Sequence, residues 1–462
     1  MPRGASTTAR PRVVVGTAAV VLILGATRWG SYLGFSPLFL TDVLLALGLL
    51  GWFVASQGRA EPLKANGDAK SRPSALFIIF FAFVVIRAFL ALSAGFTEEW
   101  LRDAAPFLYS FLAFVSAASV ARAGEESRRR TMKFIWFALI FHLVWTAATT
   151  FSGFAGLSVP FAGGALFQIR PDIDVAISGV AAGLFMLRVL RSRKKIWPGL
   201  ALVLTVATVL AQGTRAGLIS FVLSIALAYV FFYATTGYQS KKRVLAQLMV
   251  PAALVGLLLT VPQTEAGQRI IATIDSSQAD TQGQLNAQGT ERARSLVWRG
   301  VVDWTNEKPA RQLFGSGFGN DFLTQSGTIT FLEGDTYDGV RSPHNWFVGA
   351  YARLGLLGSA LAVLVVMQLL ATIVRHVRRI AQEPILAAAA LIVVAILPVA
   401  TLGVVLEAPF GAVPFWWSAG VIYTLRTRGD VADQKKPRSM HALGLSPRKA
   451  TSALGEAGFE RS

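Results

Sequence analysis

The chain contains no cysteine, and only four histidines occur in its 462 residues. Without thiols there is no disulfide framework, no thiolate nucleophile and no cysteine-ligated metal. The compartment stays open, because a cysteine-free chain suits any redox poise. Charge is sparse as well: 15% of residues are Asp, Glu, Lys or Arg against 53% apolar ones. With a mean hydropathy of +0.51, this is the composition of an integral membrane protein, solvated by lipid rather than water. No internal repeat is found, which argues against the two-halved layout of many transporters. The net charge of +18 suggests nucleic acid at first sight, so where the charge lies matters more than its size.

A membrane-spanning helix takes about 20 mostly apolar residues, and twelve segments qualify as candidates. They are 13–28, 37–56, 74–95, 105–122, 133–152, 173–190, 196–212, 216–235, 244–262, 345–373, 385–404 and 412–425. The basic start "MPRGASTTARPR" resembles a signal peptide but lacks a small-x-small cleavage site, so a retained first helix is expected. With the N-terminus inside, every inner connection is net positive, including "ARAGEESRRRTMK" and "RVLRSRKK". The outer pieces "FTEEWLRD" and "QIRPDID" are neutral or negative, and residues 263–343 carry ten Asp/Glu against seven Lys/Arg. The positive-inside rule is met throughout with both termini cytoplasmic. The excess charge is then an insertion signal, and no nucleic-acid partner is needed to explain it.

The expected organisation is nine membrane helices over 1–262, a long outer loop over 263–343, three more helices over 344–425, and a disordered inner tail over 426–462. The loop is too long for a passive connection. Within it, Leu296, Val297, Val301, Val302 and Trp304 recur at helical spacing before Pro309, predicting an amphipathic helix that packs on the membrane half. A Gly-rich turn follows.

Few outer residues can carry chemistry. Arg215 lies in a short turn, "QGTRAGL", where a cation must face a protein or water-filled cavity or else snorkel to headgroups. Arg294 lies in "ERARSLVW". Arg341 is either a phosphate contact or a surface residue. His344 stands where a polar run meets an apolar helix, either as a reactive group or as an interfacial residue near a helix cap. Asp335 and Asp338 lack cation-ligand spacing, so no metal site and no cofactor are expected. "GSGFG" at 315–319 has only a superficial likeness to a phosphate cradle, since no strand precedes it and no Lys completes it.

Three stretches together carry a family resemblance: "GTRAG", "RSLVWRGVVDWTNEKPARQLFGSGFGNDF" and "PHNWFVGAYARLGLLG". In this order and on one side of the membrane, they resemble the O-antigen ligase and polysaccharide polymerase superfamily of bacterial membrane proteins, over roughly residues 200–410. The resemblance implies an all-α integral membrane protein of about twelve transmembrane helices, GT-C-like, with a partly helical periplasmic loop between helices 9 and 10. It implies location in the bacterial inner membrane. The implied reaction is transfer of a glycan from undecaprenyl diphosphate to a sugar hydroxyl, either on lipid A core or on a growing polysaccharide. Membrane lipids are implied partners, and the resemblance leaves room for polysaccharide assembly proteins.

The chemistry suits these residues. Guanidinium groups match phosphate oxygens bidentately and stay charged, so Arg215 and Arg294, with Arg341 as a third candidate, would hold the diphosphate as negative charge develops on it. Histidine titrates near neutral pH, so His344 would take or orient the acceptor proton. A single displacement inverts the anomeric carbon without paired carboxylates.

Other groups have plainer readings. His142 reads as a satisfied interior group. Arg87 and Arg353 lie in apolar segments and must be shielded from lipid. An arginine at 353 departs from the uncharged or acidic residue expected in the superfamily, so its role stays open. Trp298, Trp304, Trp346, Trp416 and Trp417 are expected at membrane interfaces. The competing functions are a transporter or flippase of lipid-linked saccharide, and a scaffold within an assembly complex.

Overall fold

The computed structural model describes residues 13–35, 38–57, 74–153, 165–192, 196–212, 214–236, 282–331 and 341–434, with positions 156, 267 and 268. The first part runs α1 (Thr17–Ser31), a two-stranded antiparallel ribbon of β1 (Gly34–Phe35) and β2 (Leu38–Phe39), α2 (Leu40–Gln57) and α3 (Ala75–Ala91). Then come α4 (Glu98–Leu108), a 3-10 turn, α5 (Leu112–Arg122), α6 (Glu125–Ser152), α7 (Pro171–Arg191), α8 (Ile196–Ala211) and α9 (Arg215–Thr235). The rest is α10 (Gln282–Asn306), α11 (Pro309–Phe314), α12 (Phe322–Gln325), α13 (Trp346–Arg375), α14 (Val377–Gln382), α15 (Pro384–Thr401) and α16 (Pro409–Gln434).

Among the described residues, six helices are long and apolar enough to cross a membrane: α4 continued through α5, then α6, α7, α9, α13 and α15. Three apolar stretches fall short of that length: Leu40–Val54, Ala75–Ala91 and Ile196–Ala211. The described residues therefore give six candidate spans where twelve were expected, and segment 244–262 lies outside them. "FTEEWLRD" is also no loop. Thr97 caps α4 by accepting from the Trp100 amide at 3.1 Å, and Glu98 and Glu99 occupy the first turn, where the helix dipole favours anions. Counting only apolar residues hid this polar helix start.

Helix α15 is buried on nearly every side, with Ile385 to Val393 all at 2% exposure or less. It is the central post, because a helix apolar all round needs neighbours all round. The outer rods show the opposite: Phe137 and Val144 on α6 and Ile86 and Phe89 on α3 are more than half exposed. Apolar faces of this kind are suited to lipid. The tryptophans correct the interfacial expectation, since Trp346, Trp416 and Trp417 are all at 2% exposure or less. Trp417 donates to the Val15 carbonyl at 3.0 Å, a satisfied polar tip, and Trp416 stacks on Phe80, so these rings are packing elements.

The amphipathic outer helix is present as α10. Val297, Val301 and Trp304 pack with Phe322, Leu323 and Ala352 in a second, small core that fastens α10 to α13. Val302 is half-buried. Leu296, placed by spacing on the same face, is 39% exposed.

Helix α13 breaks at Gly355, where φ is 65° and ψ −168°, a conformation reserved for glycine. The break strips the carbonyls of Ala352 and Arg353 of their helical donors. Ser316 N–H replaces one at 2.8 Å and Gly317 N–H the other at 3.0 Å, while Arg87 donates to the Gly315 carbonyl at 3.1 Å. "GSGFG" is thus a plug for a helix break. A Cβ at Gly355 would fall on the backbone of Gly315 and Leu313. Gly355→Ala is expected to cost at least the roughly 1–3 kcal/mol of such strain, read as a lower thermal midpoint in detergent.

Candidate functional site

The N-terminal ends of α7, α9 and α13 lie together at one end of the bundle, with the link between α15 and α16. The basic connections gather at the other end, where Arg128 pairs with Glu383 at 3.1 Å and Arg191 donates to the Ala381 carbonyl at 2.9 Å.

Arg215 is the first residue of α9. Thr214 caps that helix, and Gly217 lets it press on α7, since a Cβ there would lie 2.7 Å from Val175 Cβ. No acidic residue occupies the first turn, so the guanidinium adds to the positive potential of a helix start. Its protein partner is Glu291 on α10, at 3.1 Å.

Arg294 is one turn further along α10, and its Nη1 donates to the Leu402 carbonyl at 3.1 Å. One more turn brings Trp298, whose indole N–H donates to the Pro343 carbonyl at 2.6 Å. Residues three and four apart share a helix face. A single stripe of α10, Glu291–Arg294–Trp298, therefore touches Arg215, the α15–α16 link and the loop that holds His344.

His344 precedes α13, whose cap is Asn345: its Oδ1 accepts from the amides of Phe347 at 2.9 Å and Val348 at 3.2 Å. His344 itself has a φ of 55°, a left-handed conformation costing a non-glycine residue about 1–2 kcal/mol. Its amide donates to Ser342 Oγ at 3.3 Å. Burial pushes the imidazole down to about 4, and the Arg294 and Arg170 guanidiniums push the same way. The ring is thus neutral at pH 7 and able to accept a proton.

Arg170, within the outer piece "QIRPDID", therefore acts on this imidazole as well. It precedes α7 and its backbone is set by Asp174, which accepts its amide at 2.6 Å. Asp172 takes its Nε at 3.0 Å, and the guanidinium lies over the Phe410 ring at 5.1 Å. Asp172 also sits beside Gly403, the neighbour of the residue that Arg294 grips. An arginine directly before a helix-starting proline, on the same side as Arg215, was the available signal.

Arg341 points away from the other three. Its Nη2 donates to Asp103 and to the Gly319 carbonyl, both at 3.1 Å, and Asp321 lies 4.0 Å from Nη1. Arg353 is buried and ion-paired, and His142 lies within 3.1 Å of the Asp174 carbonyl. Among the described residues no group of three metal-ligating side chains gathers. Asp335 and Asp338 lie outside them.

The arrangement sets Arg294 and Arg170 beside one neutral imidazole and ties Arg215 to them through α10, a set suited to a polyanionic group whose neighbouring atom gains a bond from a hydroxyl. No curated protein matches the chain. A family model described as O-antigen ligase matches residues 200–363, ending short of the 410 expected but including Arg215, Arg294, Arg341 and His344. Over that stretch, which supplies most of the site, the chain is similar to the O-antigen ligase family.

Proposed function

We propose that the protein is an inverting glycosyltransferase of the bacterial inner membrane. It moves a glycan from undecaprenyl diphosphate to a sugar hydroxyl, on lipid A core or on a growing polysaccharide, at the periplasmic face and without a nucleotide. The observation that carries the reading is the α10 stripe, which links Arg215, Arg294 and the His344 loop.

Arg215 and Arg294 hold the diphosphate. The acceptor oxygen attacks the anomeric carbon, the carbon–oxygen bond to phosphate breaks, and its electron pair stays on the diphosphate, where the guanidiniums stabilise it. The acceptor proton passes to His344. Arg341, whose fork already serves Asp103 and Gly319, meets the donor less directly than the other two.

The charges couple donor binding to basicity. Arg294 and Arg170 depress the imidazole in the free protein, and a bound diphosphate offsets them, so the imidazole becomes more basic when donor is present. A protonated His344 cannot take the proton, so activity falls as pH falls through its pKa. The acid limb of kcat/KM, which reports the free enzyme, is expected near pH 4, and that of kcat at higher pH. A kcat/KM limb near 6.5, or limbs in the reverse order, contradicts this assignment.

Reconstitution of the purified protein with lipid-linked glycan and acceptor tests the function. Transfer product without any ion gradient is the expected result. Flux of the lipid-linked saccharide without product overturns the reading in favour of transport.

A further inference from the structure

Behind the His344 loop lies a buried arginine that the transfer step does not use. Arg353, on α13 and 3% exposed, donates from Nη1 to Glu407 at 3.1 Å and from Nη2 to Asp103 at 3.3 Å. The same Nη2 donates to the Arg341 carbonyl at 3.0 Å. The face of the guanidinium covers the Phe322 ring at 4.9 Å.

Each acceptor belongs to a different part of the chain. Asp103, from α4, also accepts the Gly319 amide at 3.1 Å and the Arg341 side chain. Glu407 lies between α15 and α16 and is approached by the Ser342 side chain. Ser342 Oγ accepts the His344 amide. From the fork to the strained residue there are only two links, the Arg341 carbonyl and the Ser342 hydroxyl.

Stability alone does not explain such a network. Buried ion pairs often contribute no more than apolar side chains of equal volume, because desolvation offsets the attraction. A rigid planar fork with several acceptors instead fixes one geometry.

We propose that Arg353 is a positioning residue: through the Arg341 carbonyl and the Ser342 hydroxyl it holds the backbone at His344 in the left-handed conformation that aims the imidazole at the acceptor. The inference rests on His344 being the base of the transfer reaction. A displacement of about 1 Å at a reacting group costs about 10²-fold in rate, which sets the expected scale.

Arg353→Lys keeps the charge and loses the fork, whereas Ser342→Ala keeps every ion pair of the network and removes the second link together with the Ser342 contact to Glu407. Both are expected to lower kcat of glycan transfer about 10- to 100-fold with donor KM unchanged. Ser342→Thr, which keeps the hydroxyl, restores the rate, and the Arg353→Lys/Ser342→Ala double variant loses no more than the worse single one. Full kcat in Ser342→Ala and Arg353→Lys, donor KM rising in step with the loss of kcat, or losses that multiply in the double variant each overturn the proposal. His344→Ala in the same assay keeps the two readings apart. If His344→Ala transfers normally, the assignment of the base fails; if it is inactive while the other two variants are fully active, only the positioning role fails.

Discussion

His344→Asn is expected to lower kcat of glycan transfer about 10²- to 10⁴-fold, the range for removing a general base, while the protein still accumulates in the membrane. Asparagine tolerates the left-handed backbone better than most residues, so the φ of 55° and the Asn345 cap of α13 survive. What is lost is the proposed proton acceptor. Because the proposed diphosphate contacts are elsewhere, donor KM should change little. Measuring initial rates at saturating donor and pH 7.5 checks this, and activity within threefold of the parent protein would falsify the role given to His344.

Arg294→Ala is expected to have the second largest effect, a fall of about 10²- to 10³-fold in kcat/KM, comparable to deleting a donor that stabilises developing charge. Both parameters are expected to suffer, since the proposed mechanism gives the same guanidinium the ground-state diphosphate and the leaving group. Arg294→Lys should recover little of this, because a point charge cannot grip the Leu402 carbonyl and a phosphate in one plane. The loss should also reach beyond the diphosphate. Without the Arg294 charge the imidazole of His344 is less depressed, so the acid limb of kcat/KM shifts upward. A variant that binds donor normally and keeps the parental pH profile contradicts the placement of Arg294 beside both groups.

The parts of the site written into local sequence are legible in the sequence itself. Arg215 could be singled out because it lies where two apolar runs meet, and His344 because it stands at the joint of a polar and an apolar run. The helix of α10 followed from the spacing of Val297, Val301 and Trp304. Its role as a tie between elements did not, because Glu291, Arg294 and Trp298 find partners 76, 108 and 45 residues away, and spacing along one helix says nothing of that. Arg353 illustrates the same limit. Its sequence position required shelter from lipid, but the partners that shelter it, Asp103 and Glu407, are 250 and 54 residues distant. Asp103 was hidden further by its setting in "FTEEWLRD", which looks like a loop until Thr97 is seen to cap a helix there. The glycines at 315 and 317 suggested a turn but not its use, since the break they fill is in another helix.

The seam between Ser316–Gly317 and the open carbonyls of α13 also constrains how such proteins diverge. Two successive amides meet two successive carbonyls, so one residue gained or lost within 315–319 breaks the match and strands both acceptors, at a few kcal/mol each. Related chains can change the outer segment around these positions, but the five-residue spacing itself should tolerate neither insertion nor deletion.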